Sequence, residues 1–266
     1  GRNVVVENKP GAGGQIAAQT LKGAKPDGTT IFLTNSHTVA MIPLTINNPG
    51  FDTAKDFIPV AMVAVNPDVF VINTTVVGNP NAGLKEFAAW VKANPGKGNV
   101  GVPAPASAPD FAVGVVAKAL GLDLKSAPYR GDAPIVQDVM AGQADYVFDP
   151  GIAFPHIKSG KVKLLGVASD RKSPFFPDAP TYADMGIKNA SLDIWFGVWA
   201  PNKVPVEVTE RLSHEIAKAL ATPAIKQRFN NLGAEPAPLE TVAFKKLLAE
   251  EGKTLSTLIK DRKIVV

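Results

Sequence analysis

The chain of 266 residues contains no cysteine, and this absence excludes disulfides, thiolate metal ligands and cysteine nucleophiles. It also lacks an apolar run close to the roughly 18 residues that a membrane-spanning helix needs. Basic and acidic residues are nearly balanced, 28 against 24, and Lys and Arg do not cluster in blocks. A net charge of +4 spread in this way is typical of a solvated surface, so we predict no nucleic-acid partner.

Side chains arranged for catalysis or metal binding are also scarce. The three histidines, His37, His156 and His214, lie far apart in the sequence, without the spacing of a helical metal site. The sequence has neither a G-x-S-x-G nucleophile elbow nor a P-loop that ends in Lys-Ser/Thr. We therefore predict a protein that is not an enzyme and that holds no metal and no cofactor.

A glycine-rich motif at 11–14 precedes a predicted helix over 15–22. A dinucleotide-binding fingerprint requires a small residue where Ile16 stands, so a nucleotide-binding α/β enzyme is the less favoured alternative. The favoured interpretation is a tight turn whose glycines adopt positive φ. Binding of an anion by free N–H groups at the helix start stays open.

Strands and helices alternate along most of the chain, and this order predicts an α/β fold with mostly parallel sheets flanked by helices. The apolar run at 4–6 predicts a buried strand. The apolar spacing predicts a helix over 108–120 that ends at Gly121, and Asp132 is predicted as the N-cap of the next helix.

Three predicted joints between a strand and a helix are rich in Ser, Thr, Asn, Gly and Pro, namely 34–38, 103–110 and 129–134. In open α/β sheets such joints lie at the carboxyl ends of the strands, where ligands bind. Residues of this kind supply N–H and hydroxyl groups but no nucleophile, so the pattern indicates a binding protein.

Motifs along the whole chain resemble, in order, those of the Bug-type (TctC-like) receptors of tripartite tricarboxylate transporters. The motifs are PGAGG at 10–14, PYRG at 128–131, GQAD at 142–145, PHIKSGK at 155–161, PDAPT at 177–181, WFG at 195–197 and LGAEP at 232–236. Members of this family are periplasmic substrate-binding proteins, so the resemblance implies a periplasmic location, although the given sequence shows no signal peptide.

The resemblance implies a two-lobed periplasmic-binding-protein architecture of type II, the Venus-flytrap arrangement. On this basis lobe 1 is expected to contain 1–99 and 196–266, and lobe 2 is expected to contain 100–195. Family members carry a strand, a ligand loop and a helix ahead of the position of 4–6, so we expect lobe 1 to lack these elements here. The family also implies a monomer.

The function implied by the resemblance is binding of a small carboxylate in the cleft between the lobes and its delivery to a membrane permease. Dicarboxylates, amino acids and aromatic acids are the implied ligand classes. An alternative is the effector-binding part of a transcriptional regulator, because its pair of lobes is architecturally similar. The ligand-binding residues carried over from the family are Thr34, Asn35, Ser36, His37, Thr38, Ser107, Ala108, Asp110, Tyr129, Gly131, Asp132, Ala133, Asp149 and Trp195.

Asp110 and Asp132 depart from the family pattern, which commonly has His and a small polar residue at these positions. Each carboxylate either caps a helix or pairs with an ammonium or amide group of the ligand, and the sequence leaves both interpretations open. The two tryptophans of the strand predicted near 194–199 are expected in different environments. Trp199 is predicted to pack in the core, whereas Trp195 either borders the cleft or packs.

Overall fold

The computed structural model describes residues 3–66, 68–142, 146–149, 153–187 and 193–262. The strands are β1 (Phe32–Asn35), β2 (Phe57–Asn66), β3 (Val69–Ile72), β4 (Asn99–Val102), β5 (Lys125–Pro128), β6 (Tyr146–Asp149), β7 (Lys163–Val167), β8 (Ile194–Pro201) and β9 (Glu235–Glu240). The α-helices are α1 (Gln15–Lys22), α2 (Ile42–Thr45), α3 (Thr53–Asp56), α4 (Thr74–Val77), α5 (Leu84–Ala93), α6 (Ala108–Leu120), α7 (Asp132–Met140), α8 (Phe154–Lys158), α9 (Val206–Ala221), α10 (Pro223–Asn231) and α11 (Thr241–Arg262). A 3-10 turn at Ala12–Gly14 precedes α1, and a π-helical turn at His37–Met41 precedes α2.

The chain divides into two compact units. Unit 1 comprises Gly1–Val63, Phe196–Ala219 and Pro238–Val266, and unit 2 comprises Ala64–Trp195 and Leu220–Ala237. This division differs from the predicted lobes, which placed 64–99 and 220–237 in lobe 1. Residues 64–99 group with unit 2 because β3 pairs with both β6 and β7 of that unit.

Unit 2 contains a five-stranded sheet in the order β5-β4-β6-β3-β7. All four residues of β3 are apolar and buried. Since successive residues of a strand point to opposite sides, both faces of β3 are apolar. Phe70 packs edge to face on Phe87 of α5, with ring centroids 5.1 Å apart, in a core that includes Val113 of α6. Val71 faces the other way and packs with Val136 of α7. Helices therefore flank this sheet on both sides.

A second, four-stranded sheet has the order β1-β8-β2-β9. Trp199 of β8 is buried, as predicted, and packs against Phe244 of α11 with ring centroids 5.6 Å apart. Gly197 lies under the same Phe244 ring, where a Cβ atom would approach to 2.6 Å. The absence of a side chain at this position lets α11 pack directly on the sheet.

Two features differ from the prediction. Residues 4–6 form no strand, and Val4, Val5 and Val6 are 84%, 80% and 80% exposed. β-Branched residues favour a strand only where a neighbouring strand pairs with their backbone, and the described residues provide no such pairing here. The five-stranded sheet is also mixed, because β4 is parallel to β5 and β6, whereas β3 is antiparallel to β6 and β7. In the four-stranded sheet, β1 pairs antiparallel with β8.

Candidate functional site

The carboxyl ends of three parallel strands meet at one edge of the sheet in unit 2. In the register of β4 and β5, Val102 lies opposite Pro128, and β6 runs parallel on the other side of β4. The loops that follow β4 and β5 are hydrogen-bonded to each other, since Tyr129 N donates to Val102 O at 2.8 Å and Gly131 N donates to Pro103 O at 3.0 Å. The N-terminus of α6 and that of α7 follow these two joined loops directly.

Ser107 and Asp110 cap the start of α6. Ser107 Oγ accepts a hydrogen bond from Asp110 N at 3.4 Å and donates one to Ala104 O at 2.7 Å. Asp110 Oδ2 accepts a hydrogen bond from Ala106 N at 2.7 Å, so the carboxylate reaches back to the backbone ahead of the helix. This reciprocal arrangement is close to a capping box and supports the capping interpretation of Asp110.

We expect Asp110→Ala to lower the free energy of unfolding by about 1 kcal/mol, the usual cost of losing a capping side chain. Asp123→Ala is the matched control, because Asp123 is exposed and its carboxylate forms an exposed ion pair with Lys125 at 3.9 Å. Urea unfolding followed by circular dichroism measures both changes. Equal stability of the two variants would contradict a capping role for Asp110.

Asp132 does not cap α7, so the predicted N-cap is wrong. The helix begins at Asp132 itself, and the N-cap residue is Gly131, whose φ of 96° favours glycine. The side chain of Asp132 is half-buried, and its Oδ1 atom is fully buried without a hydrogen-bond partner among the described residues. Burial raises the pKa of Asp132 to about 6, against the opposing effect of its own backbone N–H.

Tyr129 joins the loop after β5 to the helix that follows. Its hydroxyl donates a hydrogen bond to Asp138 Oδ2 at 2.9 Å, and burial, helped by this carboxylate, raises the pKa of Tyr129. Ala133 is exposed in the first turn of α7, whereas Ala108 is buried in α6. Asp149 ends β6 at the same edge of the sheet, but its side chain lies outside the described residues.

In unit 1, the predicted ligand loop at 34–38 leaves β1 and enters the π-helical turn. Thr34 and Asn35 are half-buried, and the next three side chains of the loop are buried. Thr38 Oγ1 donates a hydrogen bond to Gly13 O at 2.9 Å, and Asn35 Oδ1 accepts one from Thr38 N at 3.4 Å. The loop therefore packs against the glycine motif that precedes α1.

The glycines of this motif are required both by backbone geometry and by the loop that they contact. Gly13 and Gly14 have φ of 64° and 99°. A Cβ atom on Gly13 would lie 2.7 Å from His37 Nε2, and one on Gly14 would clash with Thr38 Oγ1. The interpretation as a turn with positive φ is supported. Sequence reasoning missed the contact with 34–38, because neither segment carries a local signal for the other.

His37 is 9% exposed, and its Nδ1 atom has no hydrogen-bond partner among the described residues. Burial lowers the pKa of His37 to about 4, because the charged imidazolium loses its hydration there. The imidazole is therefore neutral at pH 7. Trp195, the remaining predicted ligand residue, is 3% exposed in β8, and this burial favours packing over ligand contact.

In the part of the chain that the structure describes, no three His, Asp or Glu side chains lie close enough together to hold a metal ion. Within the same described residues, no helix has both the length and the apolar character that crossing a bilayer requires.

Comparison with known proteins relates the fold and the motifs to one group. A family model described as tripartite tricarboxylate transporter family receptor matches residues 1–264. Protein BugT of Bordetella pertussis is 30% identical over 239 residues, which cover 89% of this chain and 72% of BugT.

Solved structures agree with this match. Periplasmic binding protein BugD is 31% identical and superimposes with a TM-score of 0.88 over 98% of this chain and 87% of its own. MatC from Rhodopseudomonas palustris, solved with bound malate, is 27% identical with a TM-score of 0.80, over 94% of this chain and 85% of its own. These neighbours confirm the predicted α/β periplasmic-binding-protein fold.

Proposed function

Because the chain belongs to the receptor family of tripartite tricarboxylate transporters, we propose that it binds a small carboxylate and delivers it to a membrane permease. As a member, it is a solute-binding receptor, and we place its action in the periplasm, as a monomer. Proteins of this kind need hydrogen-bond donors and shape complementarity for their ligand rather than a nucleophile. The proposal therefore assigns the protein no catalytic step.

The observation that carries the proposal is the pair of helix starts at the carboxyl edge of the sheet in unit 2. The loops ahead of α6 and α7 are held together by the hydrogen bond from Gly131 N to Pro103 O. The first N–H groups of a helix lack intrahelical partners, and the helix dipole adds a partial positive charge there. At the start of α6, Pro109 has no N–H and Asp110 N already donates to Ser107 Oγ. The donors for a ligand are therefore Ala108 N and the first N–H groups of α7. Two such helix starts side by side suit a carboxylate.

The ligand bound by a related receptor points in the same direction. MatC, whose structure resembles this chain over most of its length, was solved with malate, a small dicarboxylate. We propose that the ligand of this chain belongs to the broader class of small carboxylates, which includes both dicarboxylates and amino acids. The contacts predicted for 34–38 and for Asp149 are part of this proposal and remain to be tested.

We expect a thermal-shift screen to identify at least one small carboxylate that stabilises the protein. The screen contains malate, succinate, citrate, aspartate, glutamate and benzoate, with NAD as a ligand of a different class. A ligand at 100 times its Kd adds about 2.7 kcal/mol to the free energy of unfolding, which gives a readily measured rise in Tm. Stabilisation by NAD and by none of the carboxylates would refute the proposal.

A further inference from the structure

We propose that Asp132 accepts a hydrogen bond from a nitrogen of the ligand, so that this receptor prefers amino acids over carboxylates without an N–H group. The inference rests on the proposed function and narrows its ligand class. It concerns one carboxylate oxygen of Asp132, the first residue of α7, for which the described residues supply no hydrogen-bond donor.

Asp110 and Asp132, the acidic residues in the first turns of α6 and α7, differ in what their side chains do. Asp110 Oδ2 accepts the hydrogen bond from Ala106 N, so the local backbone accounts for that carboxylate. Asp132 has no equivalent role, because Gly131 is the N-cap of α7 and no side-chain cap is formed. The capping explanation therefore covers Asp110 and does not extend to Asp132.

Among the described residues, the charge of Asp132 also has no ion-pair or hydrogen-bond partner at Oδ1. Its Oδ1 atom is fully buried and accepts no hydrogen bond from the described residues, and none of the ion pairs among them includes Asp132. A buried, unpaired acceptor is destabilising, and more so when it carries a charge. The raised pKa of Asp132 is in line with such an environment. A ligand that donates an N–H group would remove this cost.

An α-amino acid has the complementary chemistry. Its ammonium group donates hydrogen bonds that a carboxylate accepts, and charge-assisted bonds of this kind are stronger than neutral ones. Its carboxylate suits the N–H groups at the starts of α6 and α7. A dicarboxylate without nitrogen would leave Oδ1 unpaired and would bring a further negative charge towards Asp132, so both effects disfavour it.

The test measures Kd by isothermal titration calorimetry for matched ligand pairs, aspartate with succinate and glutamate with glutarate. The variants are Asp132→Asn and Asp132→Ser, and Asp123→Asn removes the same charge from an exposed position of unit 2. We expect the unmodified protein and the Asp123 variant to bind the amino acid of at least one pair at least tenfold more tightly. Both Asp132 variants should lose at least tenfold in affinity for that amino acid.

The stability of the ligand-free variants gives a second readout. We expect Asp132→Asn to raise the Tm, because it removes an unpaired buried charge, whereas loss of a structural contact would lower the Tm. A preference for succinate and glutarate in the unmodified protein, an unchanged preference in the Asp132 variants, or a lower Tm of Asp132→Asn would overturn the inference. Dicarboxylate binding without amino-acid binding refutes this inference alone, whereas absence of binding by any carboxylate refutes the proposed function.

Discussion

We expect that replacing His37 by Gln removes about 3 kcal/mol from the change in the free energy of unfolding between pH 7 and pH 4. The reason is the burial of the His37 side chain. The folded protein holds the pKa of His37 at about 4, below the ordinary value of 6.5. Between these two pH values the unfolded chain binds a proton that the folded chain does not. The stabilising contribution of neutral His37 is therefore complete above pH 6.5 and is lost as the pH falls towards 4.

The measurement is the difference in the free energy of unfolding between the unmodified protein and His37→Gln, from urea titrations at several pH values. The pH dependence of the unmodified protein alone does not isolate this effect, because the titration of Asp132 changes the free energy of unfolding in the opposite direction. Burial raises the pKa of Asp132 to about 6, so its contribution to stability is lost as the pH rises from 3.8 to 6.

Ser36→Ala is the matched control, because Ser36 is a buried neighbour in the same loop and does not titrate. We expect its difference from the unmodified protein to stay constant with pH. A His37→Gln difference that is equally constant would show that the imidazole is hydrated in the folded protein. Such a result would contradict the buried, neutral His37 described above.

The glycine motif is the site of the second large effect. We expect Gly14→Ala to lower the free energy of unfolding by about 3 kcal/mol, the sum of backbone strain at positive φ and overpacking. The new methyl group would clash with Thr38 Oγ1, which donates the hydrogen bond to Gly13 O. The substitution therefore disturbs the junction between the start of α1 and the loop at 34–38.

Gly78→Ala separates the two causes. Gly78 also has positive φ, at 68°, but nothing lies within 4 Å of the Cβ atom that alanine would add. We expect a loss of only about 1 kcal/mol there, from backbone strain alone. Urea unfolding of both variants gives the comparison, and similar losses would show that the contact with Thr38 is unimportant for stability.

Several elements follow from local sequence signals, because the interactions that define them lie within a few residues. The helix predicted over 108–120 is α6, which ends with Gly121 in a left-handed conformation. Its start at Ser107 follows from capping chemistry that spans four residues. The helix predicted over 15–22 is likewise α1, which follows directly on the glycine-rich turn.

The failures fall where the outcome depends on distant residues. Apolar composition at 4–6 predicts a strand, but a strand exists only through hydrogen bonds to a neighbour, and sequence composition does not specify one. The N-cap assigned to Asp132 fails for a local reason instead, because Gly131, the residue before it, has positive φ and takes that position. The orientation of strand pairs, which made the five-stranded sheet mixed, depends on the path of the whole chain.

The sequence by itself determined the family of this protein, because ordered motifs along the whole chain carry that information, and it determined the helices whose caps and apolar spacing are local. Only the tertiary structure decided which of two similar carboxylates accepts a hydrogen bond from a backbone N–H group. Asp110 accepts a hydrogen bond from Ala106 N, whereas Oδ1 of Asp132 is buried and has no hydrogen-bond partner in the described part of the chain. Burial and hydrogen-bond pairing depend on how α6, α7 and their loops pack, and spacing along the chain does not encode that packing.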